Sequence, residues 1–462
     1  MQCRLIQFFS TTKKEVPAVA EEHDELNMRR RKREELRRKQ RREQRRLRIA
    51  LIAAAVVLLA CGIGISFIAR SSQAKSSQAQ AVPQTTAPST RPNQTEATQA
   101  ASRRRNTQTV IHIKAAGDLN VTNSVVEAGL AATGYDFTRA FLDVAPVLAD
   151  ADLTVMNFEG NVCGEPYGTE RASAPREILQ GLRSAGVDVV QTANSYSIFN
   201  GLIGMTSTLR AVEEAGLQGV GAFASDADYR KSGGYTIVEV QGVKVALVAF
   251  TKGLGGMGMP SGSENLVNLL YEDYDSTYRT IAKDAITKTL DRVNAQKPDI
   301  VIALLHWGSE YNDVISDSQK SIVTLLQKKG VDVILGTHPH LVQQVEYDPL
   351  TGKFVAYSLG DFFGDAVRGG SNYSIIVDLE ITKDTDTGTT RVTDWSYTPI
   401  YTLTENECDG YRRVVRIREV MAAYEGNFVD KVTKECYDAM AKALTRITAR
   451  LKGESQATKS PS

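Results

Sequence analysis

The sequence predicts an α/β domain behind a single membrane-spanning helix, and three observations predict it. From Val110 onward, short apolar runs alternate with amphipathic stretches, the pattern of a sheet built with crossover helices. Polar residues stand at or just past the carboxyl end of six of those runs: Asp118, Glu159, Asn194, His306, His338 and Asp361. In α/β sheets that edge is where ligands bind. Ahead of the domain, residues 49–69 are almost wholly apolar, long enough at 1.5 Å per residue to cross a hydrocarbon core of about 30 Å.

The chain opens with a basic segment, 1–48. Of 55 Lys and Arg, 22 lie in the first 109 residues, against 9 of 54 Asp and Glu; the remainder carries 33 against 45. A basic head and an acidic body point to two surroundings rather than one nucleic-acid binder. The densest basic run, 29–48, directly precedes the apolar stretch, and only Arg70 and Lys75 follow closely. The positive-inside rule then places the N-terminus in the cytoplasm and everything after Arg70 outside. The arginine run reads as topology plus contact with anionic headgroups, with no nucleic acid implied. A cleaved signal peptide is the alternative, but its charged region would be unusually long and Ser-Gln-Ala is a weak cleavage site. An uncleaved single-pass anchor in the cell membrane is the expectation.

Residues 70–109, rich in Ser, Gln, Thr and Pro, lack the apolar content to fold and read as a flexible linker. Cysteine is sparse, without C-x-x-C, so neither a disulfide framework nor a cysteine zinc site is expected. Cys408 and Cys436 could pair across the C-terminal segment.

Within the domain, 110–402, strands are expected over 110–116, 153–158, 187–192, 243–250, 300–305, 331–335 and 354–359. Helices are expected over 137–149, 175–185, 205–215, 284–295 and 318–329. Pro175 suits a first turn, and Gly216 and Gly330 close the helices before them. Runs 374–381 and 391–401, with Asp, Thr and Gly turns between them, read as an antiparallel closing section. The extension 403–452 reads as helical from 409 onward, and 453–462 as a disordered tail. The glycine-rich loop 253–262 lacks the Gly-Lys-Ser/Thr ending of a phosphate loop, so it reads as a rim loop. No G-x-S-x-G appears, which disfavours an α/β-hydrolase.

Chemistry concentrates in the histidines. There are only 5, and His306, His338 and His340 each follow an apolar run. Pro339 between two histidines excludes a helix and is expected to hold the backbone extended. Carboxylates with neutral imidazoles suit zinc, manganese or iron, one or two ions. A two-metal site needs a shared carboxylate, and Glu159 beside Asp118 could supply it. Taken singly, Asp118 could cap a turn, Glu159 could pair with Arg171 or Arg176, and His306 could be a core histidine. As a set they read as a site.

Five motifs in order make residues 110–402 similar to the CapA family of capsule and poly-γ-glutamate synthesis proteins, relatives of calcineurin-like metallophosphoesterases. They are Gly117-Asp118-Leu119; Asn157-Phe158-Glu159-Gly160; His306-Trp307-Gly308-Ser309-Glu310-Tyr311; Gly336-Thr337-His338-Pro339-His340 with Gln343; and Tyr357-Ser358-Leu359-Gly360-Asp361-Phe362. The resemblance implies two mixed β-sheets packed face to face with helices outside. It implies divalent-metal ligands at Asp118, Glu159, His306, His338 and His340, and substrate contacts at Trp307, Glu310 and Gln343. It also shows a departure. The family's A-N-N-H-x-x-D-x-G is here Ala193-Asn194-Ser195-Tyr196-Ser197-Ile198-Phe199-Asn200-Gly201, so Ser195 stands for a ligand Asn, Tyr196 for a His and Phe199 for an Asp. The last motif has Asp361 where the family has Asn.

The catalytic half then falls to Asn194, Tyr196 and Asp361, with a phenol that is poorly matched to proton transfer at neutral pH. Two readings stay open: a metal-dependent phosphoesterase-type hydrolase, and a non-catalytic binding or scaffold subunit of a cell-envelope complex. Either implies a membrane, polymer-synthase or export subunits, and an anionic surface polymer or its precursor as partners.

Overall fold

A computed structural model describes residues 107–366, 368–407, 410–426 and 432–454. The apolar stretch 49–69, the linker, the tail and Cys408 lie outside the described residues. Among those described, no helix is long and apolar enough to cross a membrane.

Two mixed sheets carry the fold. The strands are β1 (Gln108–Asn120), β2 (Leu153–Glu159), β3 (Val189–Gln191), β4 (Gln218–Val220), β5 (Thr236–Val240), β6 (Val243–Thr251), β7 (Ile300–His306), β8 (Val333–Thr337), β9 (Val345–Asp348), β10 (Lys353–Ala356), β11 (Asp361–Phe363), β12 (Tyr373–Asp384), β13 (Thr389–Leu403) and β14 (Arg413–Arg416). The larger sheet runs β14-β13-β12-β1-β2-β3-β4, with β11 also paired to β1; the smaller runs β5-β6-β7-β8-β10-β9. In the larger sheet β1 to β4 are parallel and β12 to β14 continue it antiparallel; in the smaller, a parallel centre is flanked by antiparallel edges.

The apolar runs follow from burial on both faces. In β7, Ile300, Ile302 and Leu304 point into the core between the sheets, while Val301, Ala303 and Leu305 point into a second core under the helices Lys283–Ala295 and Asp317–Lys328. β6 divides in the same way, Val245, Leu247 and Ala249 against Ala246, Val248 and Phe250. The larger sheet has its own outer core, where Met156 and Phe158 meet Phe137, Phe141, Ile178 and Leu182. The expected face-to-face sandwich with helices outside is what forms. The C-terminal helix Lys434–Leu451 adds Met440, Ala443, Ile447 and Leu451 to the inter-sheet core.

Departures from the expected elements have local causes. The helix expected over 137–149 is two short ones, Thr138–Phe141 and Ala145–Ala149, because Pro146 has no N–H for the carbonyl of Leu142 four residues back. In the extension, Arg413–Arg416 adds an edge strand to the larger sheet ahead of its helices; four residues are too few to show a period.

Glycines let neighbouring backbones approach closely at the strand ends. A Cβ on Gly117 would lie 1.7 Å from the carbonyl oxygen of Gly360, the group that accepts a 3.0 Å hydrogen bond from the Asp118 N–H. A Cβ on Gly336 would lie 2.0 Å from the Tyr357 oxygen and 2.6 Å from the Trp307 indole nitrogen.

Candidate metal centre

The carboxyl ends of β1, β2, β7 and β8, with the start of β11, deliver one buried polar cluster. β1 and β2 lie side by side with Asp118 opposite Asn157, and β11 brings Asp361 beside Asp118 on the other flank. From the smaller sheet, His306 ends β7 and pairs with Thr337 at the end of β8, just ahead of His338. Asp118, Glu159, His306, His338, His340 and Asp361 are all buried.

Asn157 organises the centre. Its Nδ2 donates to Asp118 Oδ1 at 2.6 Å and lies 3.5 Å from His306 Nδ1, and its Oδ1 accepts from Asn194 Nδ2 at 3.1 Å. Asn194 also donates to the Phe158 carbonyl at 2.7 Å and accepts from the Tyr196 N–H at 3.0 Å. With both amide hydrogens used, Asn194 positions Asn157 and the 195–197 turn instead of facing a ligand. Asp118 Oδ2 accepts from the His338 backbone N–H at 3.0 Å.

The His338-Pro339-His340 segment is not extended. His338 has φ +91° and His340 φ +57°, the left-handed region that non-glycine residues avoid. Proline does exclude the right-handed helix before it. The hydrogen bond to Asp118 and the bond from the Tyr311 N–H to the Pro339 carbonyl at 2.9 Å then hold the strained turn, a pattern found at functional sites. The turn brings the His306 and His338 rings to 4.5 Å and the His338 and His340 rings to 6.0 Å between centroids.

Three sets of ligand atoms lie close enough to share an ion: Glu159, His306 and His338; Asp118, His340 and Asp361; and Glu310, His338 and His340. Two buried atoms in the first set, Glu159 Oε2 and His338 Nδ1, have no hydrogen-bond partner. Burial of such atoms is costly, and a cation is the group that would satisfy both. Glu159 pairs with neither Arg171, which binds Asn200 and the Glu165 carbonyl, nor Arg176, which binds Glu214. It lies 3.3 Å from His306 Nε2 instead.

The protonation states of the two histidines in the first set agree with a metal site. Burial pushes Asp118 up to about 7, helped by the Glu159 carboxylate, and burial alone does most of the same for Glu159, also about 7. Burial drives His306 down to about 3 and His338 well below its ordinary value, leaving neutral imidazoles with free lone pairs. His340 goes the other way. Burial opposes its charge, but Asp361 Oδ1 at 2.8 Å, with Glu159 and Asp118 behind it, outweighs burial and raises it well above normal. The donor set and its two orphaned atoms fit a divalent cation.

The remaining expected residues divide. Glu310 is exposed at the mouth of the cluster. Tyr196 is partly buried with its ring edge-on to Phe199, and burial, then Glu159 and Glu310, raise its hydroxyl above 10. Trp307 is fully buried, stacked on Tyr357 and donating to its carbonyl at 2.9 Å; it has no surface to offer a substrate and packs beneath Gly336. Gln343 donates to the Asn312 carbonyl at 2.9 Å and lies 3.4 Å from Gln319 Nε2, bracing the 308–316 loop.

Two residues escape the motif reading. Asn157 stands inside a motif read for its glutamate. Lys252, just past β6, donates to the Gly308 carbonyl at 2.7 Å. With Ser195, Gly253, Tyr278, Glu310 and His338 it lines an open cleft of about 320 Å³. A lone lysine at a strand's carboxyl end was its only signal. Ser195 Oγ lies 3.0 Å from His306 Nε2.

A family model described as bacterial capsule synthesis protein PGA_cap matches residues 112–366. The capsule biosynthesis protein CapA of Bacillus anthracis is 28% identical over 59% of this chain and 64% of its own length. The PGA biosynthesis protein CapA of Bacillus subtilis is 29% identical over 53% of this chain and 61% of its own. The chain therefore spans somewhat under two thirds of these relatives. The calcineurin-like phosphoesterase YfkN of Bacillus subtilis overlaps 75% of this chain and 99% of its own at 15% identity and a TM-score of 0.37, a likeness too loose to argue from.

Proposed function

The chain belongs to the bacterial capsule synthesis protein family PGA_cap, and from that premise we propose a membrane-anchored, extracytoplasmic protein. It uses a divalent-metal centre in the synthesis, export or attachment of an anionic surface polymer of the poly-γ-glutamate kind. The observation that carries this reading is the cluster at the strand ends, with Glu159 Oε2 and His338 Nδ1 buried and unpartnered. Glu159, His306 and His338 would hold one ion; Asp118, His340 and Asp361 would hold a second once His340 gives up its proton. This oxygen and nitrogen set suits manganese, zinc or iron. An ion held there would polarise a phosphoryl or carbonyl oxygen as a Lewis acid.

The chain's own residues do the rest. Asn157 fixes the Asp118 carboxylate, and the strained turn aims His338 and His340. Tyr196, protonated at neutral pH, can donate a hydrogen bond to a substrate oxygen but is a poor base. The anchor rests on residues 49–69 and the basic run before them; polymer-synthase or export subunits would meet the protein at that membrane.

A non-catalytic scaffold is the second reading, and one contact favours it. Ser195 Oγ sits 3.0 Å from His306 Nε2, where the family pattern places an asparagine ligand, and Tyr196 replaces the neighbouring imidazole. The full chain, purified in detergent, is analysed for metal and assayed on phosphodiesters and phosphomonoesters, beside His338→Ala. Bound metal with turnover that His338→Ala abolishes supports the hydrolase. Bound metal without turnover selects the scaffold; no metal and no turnover ends the catalytic reading. Protease added to intact cells should digest the domain, and full protection would contradict the proposed topology.

A further inference from the structure

The C-terminal helix Lys434–Leu451 does more than complete the inter-sheet core. With the loops around Tyr311 and Arg368 it encloses a pocket of about 430 Å³ lined by Tyr311, Asp313, Arg368, Arg446, Arg450 and Glu454. Three guanidinium groups converge there in an otherwise acidic body. Arg450 is fixed by Asp313 at 3.4 Å and by the Tyr373 hydroxyl at 3.3 Å. Arg446 is exposed, and among the described residues neither it nor Arg368 has a carboxylate partner. Tyr311 stands between the pocket and the metal centre: Arg368 lies 5.1 Å from the centre of its ring, which lies 5.2 Å from that of His340.

The geometry points to a subsite for a carboxylate-bearing polyamide, a glutamate polymer that runs from the metal centre over Tyr311 into the arginine pocket. This rests on the anionic-polymer reading above and adds to it the place where the polymer's carboxylates are held. Guanidinium groups bind carboxylates in paired hydrogen bonds. Asp313 and Glu454 in the same lining can accept hydrogen bonds from amide N–H groups, which a glutamate polymer has and a polyphosphate lacks. The subsite lets an acidic body hold a polyanion, because local charge and not net charge decides the contact.

The test is binding of a fluorescent γ-linked oligoglutamate to the full chain in detergent at low and physiological salt, with polyphosphate as competitor. Arg446→Glu and Arg368→Gln should each weaken binding about tenfold or more and flatten its salt dependence. Arg210→Gln, an exposed arginine on the helix Gly201–Glu214, serves as the control and should bind as wild type. Normal binding by both pocket variants overturns the subsite, as does absence of wild-type binding at low salt. Displacement by polyphosphate at lower concentration than by unlabelled oligoglutamate overturns the ligand class. Metal content of the wild-type chain, measured in parallel, separates the two claims. Metal-free protein that binds oligoglutamate through these arginines loses the metal centre only, and metal-loaded protein with indifferent arginines loses the subsite only.

Discussion

At the scale of single residues, the centre depends on amide side chains more than on its ligands alone. Replacing Asn157 with Leu removes the donor to Asp118 and the acceptor for Asn194 while keeping similar volume. Denaturant unfolding should show a loss of about 1–3 kcal/mol, and metal titration a 10–100-fold weaker affinity, the usual cost of losing an orienting partner. The pH dependence of binding follows from which ligands carry protons. In the Glu159, His306 and His338 set, His306, near 3, and the still-neutral His338 need lose no proton at neutral pH, whereas Glu159, near 7, must. Affinity of that set should therefore fall as pH drops below 7, with up to one proton released per ion bound, and level off above it. Calorimetry in two buffers of different ionisation enthalpy measures that release; a flat profile from pH 5.5 to 8 would contradict it. The cluster was legible as a set: taken singly Asp118, Glu159 and His306 each had an ordinary alternative, but polar residues at six strand ends pointed to one edge. Asn157 and Lys252 were not legible, since an amide or a lysine at a strand end has many bland roles. The left-handed φ of His338 and His340 was not legible either, because it is imposed by Asp118 and Tyr311, which are distant in sequence.

At the scale of elements, the motif glycines are explained by backbone contact. Gly117→Ala would drive a Cβ to within 1.7 Å of the Gly360 oxygen, so β1 and the turn before β11 must separate and carry Asp118 and Asp361 apart. The variant should lose both metal binding and about 2 kcal/mol or more of stability, in the range of overpacked sites. Circular dichroism melts with metal titration check it, and wild-type behaviour would show that the interlock is dispensable. The central strands β6 and β7 were legible because both faces are buried and nearly every residue is apolar. β4, β9, β11 and β14 have three or four residues each and lie at edges or off the main ladder, where no period can register. The break at Pro146 was written in the sequence, but the apolar spacing around it outweighed the proline in the reading.

At the scale of the molecule, the centre joins the two sheets: Glu159 and Asp118 come from one, His306 and the His338–His340 turn from the other. An ion held by both should act as a clasp between layers. Adding the preferred metal at a hundredfold its dissociation constant should stabilise the fold by about 2.7 kcal/mol, and a chelator should reverse the shift in melting temperature. The most direct test of the account is the metal stoichiometry of the full chain, wild type beside His338→Ala, after purification without added metal and reloading with manganese, zinc or iron. The account predicts one or two ions per chain in the wild type and a clear loss in a folded variant. A wild type that holds no metal above background, or a folded His338→Ala that holds as much, would contradict it.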